Sequence, residues 1–206
     1  MKLVAVEGLD KSGKRTAVAT LQDVFESRGL TVKVVSFPQY ETPLGERIRA
    51  WLKGEWDVDA RTFELVQAAD KQSIQSQLSV WEKEDVDVVL FDRYLHSQWA
   101  YGLYDNPTDW VLSLSKHARR PDVVIYMDVA VDVSMSRQGE HGKNDKYEEN
   151  RDRLVKAKDA YTKLLTVERQ ARGLNVYTVD ANRSEAFVKQ TVIAVANKLN
   201  IVKGRG

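Results

Sequence analysis

Five short apolar runs punctuate the chain, at residues 3–6, 31–36, 86–91, 123–128 and 176–179. Each is apolar or β-branched along its length rather than alternating, the pattern of strands in a sheet buried on both faces. Between them, apolar positions recur every three to four residues. That spacing predicts helices over 14–27, 44–53, 60–83, 108–117, 147–172 and 184–199. Gly29 and Gly173 follow two of these segments and read as helix stops. Strand and helix in alternation predict right-handed βαβ units and an open, five-stranded parallel α/β sheet, with ligands at the carboxyl ends of the strands. There is no internal repeat and no linker, so residues 1–206 read as one domain.

The most specific chemistry lies where the first strand gives way to the first helix. Gly8-Leu9-Asp10-Lys11-Ser12-Gly13-Lys14 has the spacing and the context of a phosphate-binding loop. Its glycines let backbone N–H groups converge on phosphate oxygens. Lys14 adds a point charge, and the helix start adds its dipole. Such loops usually continue with a Ser or Thr whose hydroxyl holds Mg²⁺. Here Arg15 stands there and Thr16 follows, rotated about 100° around the helix. A metal then depends on other ligands or on water.

A second motif, Asp92-Arg93-Tyr94, follows the third apolar run. An acid at a strand's carboxyl end suits Mg²⁺, and an adjacent arginine suits a phosphate held by two parallel hydrogen bonds. A third, Phe37-Pro38-Gln39-Tyr40, leaves the second run through a stiff, aromatic turn. Residues 138–146 are polar and glycine-bearing between two predicted helices. Beside a phosphate loop, that segment reads as a lid that excludes water during transfer.

Composition narrows the setting. The chain has 206 residues, enough for one full core. With 31 lysines and arginines against 30 acids, the net charge of +1 leaves no basic footprint for nucleic acid. The absence of cysteine excludes disulfides and thiolate metal sites and fits a cytoplasmic setting. No apolar run approaches the ~20 residues of a membrane span. His96, His117 and His141 have no metal-ligand spacing.

Taken together, these motifs resemble the thymidylate kinase family of phosphate-loop nucleoside monophosphate kinases, in the family's order and over essentially the whole chain. Residues 6–16 look like its phosphate loop, and an arginine at position 15 occurs in one bacterial branch. Phe37, Pro38 and Tyr40 resemble the segment near the acceptor phosphate, although many members carry arginine where Tyr40 stands. Asp92-Arg93-Tyr94 with Ser97 and Tyr101 resembles the family signature. Arg120-Pro121-Asp122 leading into the fourth apolar run, Arg137 before the lid, and Tyr147-Glu148 after it also match.

The resemblance implies ATP-dependent phosphorylation of a deoxynucleoside monophosphate, foremost dTMP, with Mg²⁺ as cofactor. It implies donor contacts from Gly8, Asp10, Lys11, Ser12, Gly13, Lys14, Arg15 and Thr16, with Arg137 and Asp180 near adenine. Acceptor contacts are expected from Asp10, Phe37, Pro38, Tyr40, Gln67, Lys71, Arg93, Ser97, Gln98, Tyr101 and Tyr147. Lys11, Lys14 and Arg93 are the expected catalytic residues, and Asp10, Asp92 and Glu148 the expected metal ligands. The expected partners are ATP and the monophosphate, without nucleic acid or membrane, and the expected assembly is a homodimer.

The chain departs from the family at the acceptor base. Members often stack a phenylalanine on thymine and bond its carbonyl with an arginine four residues later. Those positions align with Gln67 and Lys71, which offer neither an aromatic face nor a planar fork. A kinase for another or a modified pyrimidine, or a deoxynucleoside kinase, therefore stays open. A nucleotide-switched regulator is the reading from a different class. It calls for a guanine-reading Asn-Lys-x-Asp, and Asn197-Lys198-Leu199-Asn200 lacks the acid.

Overall fold

The computed structural model describes residues 1–137 and 150–203. In chain order the elements are β1 (Lys2–Gly8), α1 (Lys14–Ser27), β2 (Val32–Ser36), α2 (Pro43–Leu52), α3 (Ala60–Ser73), α4 (Gln75–Lys83) and β3 (Val88–Asp92). They continue with α5 (Leu95–Gly102), α6 (Thr108–Leu114), β4 (Val123–Asp128), α7 (Val131–Ser136), α8 (Arg151–Arg172), β5 (Asn175–Asp180) and α9 (Glu185–Leu199). The strands form one parallel five-stranded sheet in the order β2-β3-β1-β4-β5. Val6 pairs with Asp92, and Gly8 pairs with Met127. The ladder thus brings the phosphate loop and the Asp92-Arg93-Tyr94 turn side by side at one end of the sheet.

The three central strands are almost wholly buried, as their continuous apolar runs predict. The edge strands β2 and β5 are only partly covered, so full burial on both faces holds for the centre alone. Among the described residues, no helix is long and apolar enough to cross a membrane.

The helix predicted over 60–83 is two helices. Ser73 Oγ donates to the Asp70 carbonyl at 2.8 Å and Gln75 Nε2 to the Lys71 carbonyl at 2.9 Å. These side chains compete for carbonyls that the helix ladder would use, and the ladder is interrupted at Ile74, whose N–H bonds the Gln72 carbonyl instead. The helix predicted over 108–117 ends at Leu114, with Ser115 Oγ taken by Trp99 Nε1 at 2.8 Å. α5 has no counterpart among the expected elements. All eight of its residues are buried, and its polar residues His96, Ser97 and Gln98 are consecutive rather than spaced along a solvent-facing stripe, so no amphipathic pattern marks it.

Candidate active site

The donor side is built from the turn between β1 and α1. Gly8 has φ 146°, and a Cβ there would lie 2.6 Å from the Met127 carbonyl oxygen. Only glycine lets β1 run this close to β4 as the loop begins. Lys14 is buried at the start of α1, where its Nζ donates to the Leu9 carbonyl at 2.6 Å. Burial, together with the nearby Arg93 guanidinium, pushes its ammonium down to about 8, against the pull of Asp10, Asp92 and Glu7. A cavity of about 340 Å³ opens beside the loop, bordered by Lys11, Ser12, Gly13, Thr16, Arg137 and Arg183. Arg137 bridges its two walls, donating to the Lys11 carbonyl at 2.9 Å and the Ala181 carbonyl at 2.7 Å.

Two residues expected on the donor side lie off this cavity. Asp180 does not border this cavity: its carboxylate accepts from the backbone and side-chain nitrogens of Asn182, closing the turn after β5. Ala181 and Arg183 stand at the cavity instead. Arg15 is exposed on α1 and does not border the cavity, whereas Thr16 does.

The acceptor side is a second pocket, lined by Asp10, Phe37, Pro38, Tyr40, Gln67, Lys71, Arg93, Ser97, Gln98 and Tyr101. It therefore gathers every expected acceptor residue but one. Tyr147, like Glu148 and the expected lid, lies outside the described residues.

Arg93 joins the two sides. It holds φ 65°, a left-handed backbone that redirects the chain after β3. Its guanidinium pairs with Asp10 Oδ1, donates to the Gly8 carbonyl at 3.0 Å and to Ser97 Oγ at 3.3 Å, and lies 5.6 Å from the Tyr101 ring centre. Burial opposes both charges of this pair. The attraction prevails: Asp10, close to Arg93 and Lys14, stays below the ordinary carboxylate value, and Arg93 is held well above its own.

Beneath Arg93 lies Glu7, fully buried on β1. It accepts from Tyr94 N at 2.9 Å, from Ser97 Oγ, and from Tyr161 OH at 3.2 Å. One carboxylate thus ties β1, α5 and α8 together under the site. Neither Glu7, which directly follows the apolar run 3–6, nor Tyr161, in the predicted helix over 147–172, was expected to act in the site: their partners are distant in sequence and leave no local spacing to read.

The base end of the acceptor pocket is polar. Lys71 is buried, donates to Gln67 Oε1 at 2.5 Å, sits 3.6 Å from Asp70 Oδ2, and lies 5.4 Å from the Phe37 ring centre. Burial lowers its ammonium despite Asp70 and Glu64. Leu52 and Glu64 also line the pocket and were not expected there. Glu64 lies three residues before Gln67 and seven before Lys71, one helical face, so its spacing could have pointed to it. It is buried and accepts from Gln98 Nε2 at 3.0 Å. Burial pushes its carboxyl up to about 7, with Gln98 and Lys71 pulling the other way.

For a divalent cation the acids differ. Both oxygens of Asp10 already accept hydrogen bonds, from Arg93 and Tyr101. Asp92 ends β3 close enough to Lys14 and Arg93 to act on their charges, and its carboxylate accepts no hydrogen bond from the described residues. Among the described residues, no group of three or more metal-ligating side chains forms. A Mg²⁺ bound mainly through phosphate oxygens and water needs only one or two carboxylates, and Asp92 fits that requirement.

Residues 6–192 match the family model described as thymidylate kinase. The chain belongs to the thymidylate kinase family. It is 33% identical to a probable thymidylate kinase 1 of Saccharolobus solfataricus over 201 residues, covering 96% of this chain and 97% of that one. It is 27% identical to a thymidylate kinase of Schizosaccharomyces pombe, covering 97% and 93%. The structure superposes on the thymidylate kinase of Candida albicans with a TM-score of 0.80 at 20% identity, covering 96% of this chain and 92% of that one. The phosphate-loop fold of the family is therefore the fold of this chain, and family membership makes it a phosphotransferase.

Proposed function

We propose that this kinase transfers the γ-phosphoryl group of ATP to dTMP, giving ADP and dTDP. The observation that carries the reading is Arg93. Its guanidinium lines the acceptor pocket while bonding the Gly8 carbonyl and pairing with Asp10 of the phosphate loop. A single cation thus faces the place where donor and acceptor phosphates would meet. Phosphoryl transfer needs positioning and neutralisation of charge more than covalent help from the protein.

On this reading the loop amides and Lys14 hold the donor phosphates, and Arg93 holds the acceptor phosphate. Asp10 orients Arg93 and Tyr101 rather than serving first as a metal ligand. Lys11 adds charge at the transferring group, and Arg137 covers the adenine end. Mg²⁺, when bound, neutralises phosphate charge, and Asp92 is the side chain suited to hold it directly or through water. Cytoplasmic residence and homodimeric assembly belong to the same proposal and are checked by fractionation and sedimentation.

The test is a coupled assay with ATP, Mg²⁺ and each natural or modified deoxynucleoside monophosphate in turn. ADP release that depends on an added monophosphate, and is fastest with dTMP, is expected. ADP release without an acceptor would favour a switch, and preference for an unphosphorylated deoxynucleoside would favour a nucleoside kinase.

A further inference from the structure

The acceptor pocket contains a carboxylate that the phosphoryl-transfer chemistry does not use. Glu64 is 3% exposed, and its Oε1 accepts from Gln98 Nε2 at 3.0 Å. Gln98 also lines the pocket, and its Oε1 is buried with no hydrogen-bond partner among the described residues.

A glutamine amide has two orientations that differ only in which end donates. A carboxylate can only accept, so it admits the orientation with Gln98 NH₂ toward Glu64. The carbonyl is then left as an open acceptor in a buried setting, and an N–H from a bound molecule would satisfy it. The backbone makes room for this arrangement. A Cβ on Gly102 would fall 2.6 Å from Glu64 Oε2 and 2.8 Å from Oε1.

We propose that Glu64 is a positioning residue for base selection: it locks the amide of Gln98 so that its carbonyl faces an acceptor base bearing a ring N–H. Thymine and uracil carry a hydrogen on N3, and neutral cytosine carries a lone pair there. A locked carbonyl therefore favours the first class and repels the second. Sites built around a particular hydrogen-bond donor discriminate strongly against analogues that lack it. This inference rests on the proposed use of a pyrimidine monophosphate and adds the residue that sets which pyrimidine.

Protonation of Glu64 would release the lock. A carboxylic acid can donate to Gln98 Oε1, which lets the amide turn and present its NH₂. The charge acting on Glu64 from its own helix is Lys71. α5 contributes the neutral Gln98, and no charged group of α2, α4 or α6 acts on it. Burial has already brought the carboxyl to about 7, so ionisation changes within an accessible range.

The experiment measures kcat/KM for dTMP and dCMP at pH 6 and pH 8, using the full chain. The variants are wild type, Glu64→Gln and Gly102→Ala. The ratio between the two substrates cancels the titration of their phosphates, which is common to both. The wild-type dTMP/dCMP ratio is expected to be at least about tenfold higher at pH 8 than at pH 6. Glu64→Gln accepts or donates equally well. It should lower the pH 8 ratio by about tenfold or more through the monophosphate KM, remove the pH dependence, and leave the ATP KM within about twofold. Gly102→Ala displaces the carboxylate without altering it and should shift the ratio in the same direction. A folded Glu64→Gln with the wild-type ratio at both pH values overturns the role of Glu64. If that variant does not fold, an unchanged ratio in Gly102→Ala together with a flat wild-type pH series overturns it. Failure of wild type to use dTMP at either pH overturns the acceptor assignment, and this inference with it.

Discussion

Tyr101 donates its hydroxyl hydrogen to Asp10 Oδ2 at 2.8 Å, while Arg93 takes the other oxygen of the same carboxylate. A residue of α5 and a residue of the phosphate loop are therefore fixed to each other. Burial, together with Asp10, holds the phenol well above its ordinary value, so it remains a donor at working pH. Tyr101→Phe keeps the ring and removes the bond. Hydrogen bonds to charged groups contribute about 1.5–3 kcal/mol, so kcat/KM for the monophosphate should fall by about tenfold or more. The ATP KM should change far less. Initial rates with each substrate varied in turn check this, and equal losses on both would indicate general loosening of the site.

Lys14→Ala should lower kcat by about 10²-fold or more with the melting temperature retained. The reason is its buried position at the start of α1 beside the donor cavity. Its pH behaviour is a second readout. The ammonium is the phosphate-binding form, and in the free enzyme it is lost as pH rises through about 8. Wild-type kcat/KM for ATP should therefore decline above that pH. The variant should show no such limb.

Asp92→Asn and Arg93→Ala should fail differently. Asp92→Asn should raise the Mg²⁺ concentration needed for half-maximal rate while leaving the monophosphate KM close to wild type. Arg93→Ala should mainly raise the monophosphate KM and should also destabilise the protein, because it leaves the Asp10 carboxylate half-buried without its cation. Titrating metal and acceptor against each variant separates the roles. Wild-type curves in both titrations would reduce this turn to a structural element.

Lys11 holds φ 58°, a conformation that glycine adopts readily. Lys11→Gly thus removes the charge without straining the loop. If Lys11 meets the transferring phosphoryl group, kcat should drop at least ~10-fold while ATP binding, read by isothermal titration, stays close to wild type. Lys143→Ala and Lys146→Ala, in the segment expected to form the lid, should do less. A larger loss from either would move the transition-state charge to that segment.

Glu64 should leave a mark on stability. Its carboxyl rises from the ordinary 4.5 to about 7 on folding. Between those values the folded chain holds a proton that the unfolded chain has released. Stability therefore falls as pH rises through that window and stays lower above it. Glu64→Gln removes the dependence. Its melting temperature should exceed wild type by a few degrees more at pH 8 than at pH 4. An equal difference at both pH values would mean that the ionised form is better accommodated than its burial implies.

The sheet and the phosphate loop were legible because each obeys a local rule: continuous apolar runs, and glycines at a fixed spacing. Asp92 and Arg93 were legible because they follow such a run directly. α5 was not, since its consecutive polar residues form no solvent-facing stripe, and the interruption at Ile74 arises from Ser73 and Gln75 competing for carbonyls. Glu7 and Tyr161 gave no local pattern because their partners lie 64 to 154 positions away, whereas Glu64 shares a helical face with Gln67 and Lys71 and its spacing could have pointed to it. Asp180 ends β5, and its carboxylate accepts from Asn182 instead of lining the donor cavity, an orientation that local sequence does not fix.

The pairing of Val6 with Asp92 and of Gly8 with Met127 makes the sheet a ruler. Strand residues advance by about 3.3 Å and alternate faces, so the separation between phosphate loop and acid–arginine turn can change only in whole notches. Side chains around the pocket can be exchanged one at a time to suit a different base. The span that a phosphoryl group must cross admits no such gradual tuning: a single residue gained or lost within β1 or β3 would carry Asp92 a full notch away and onto the opposite side of the sheet.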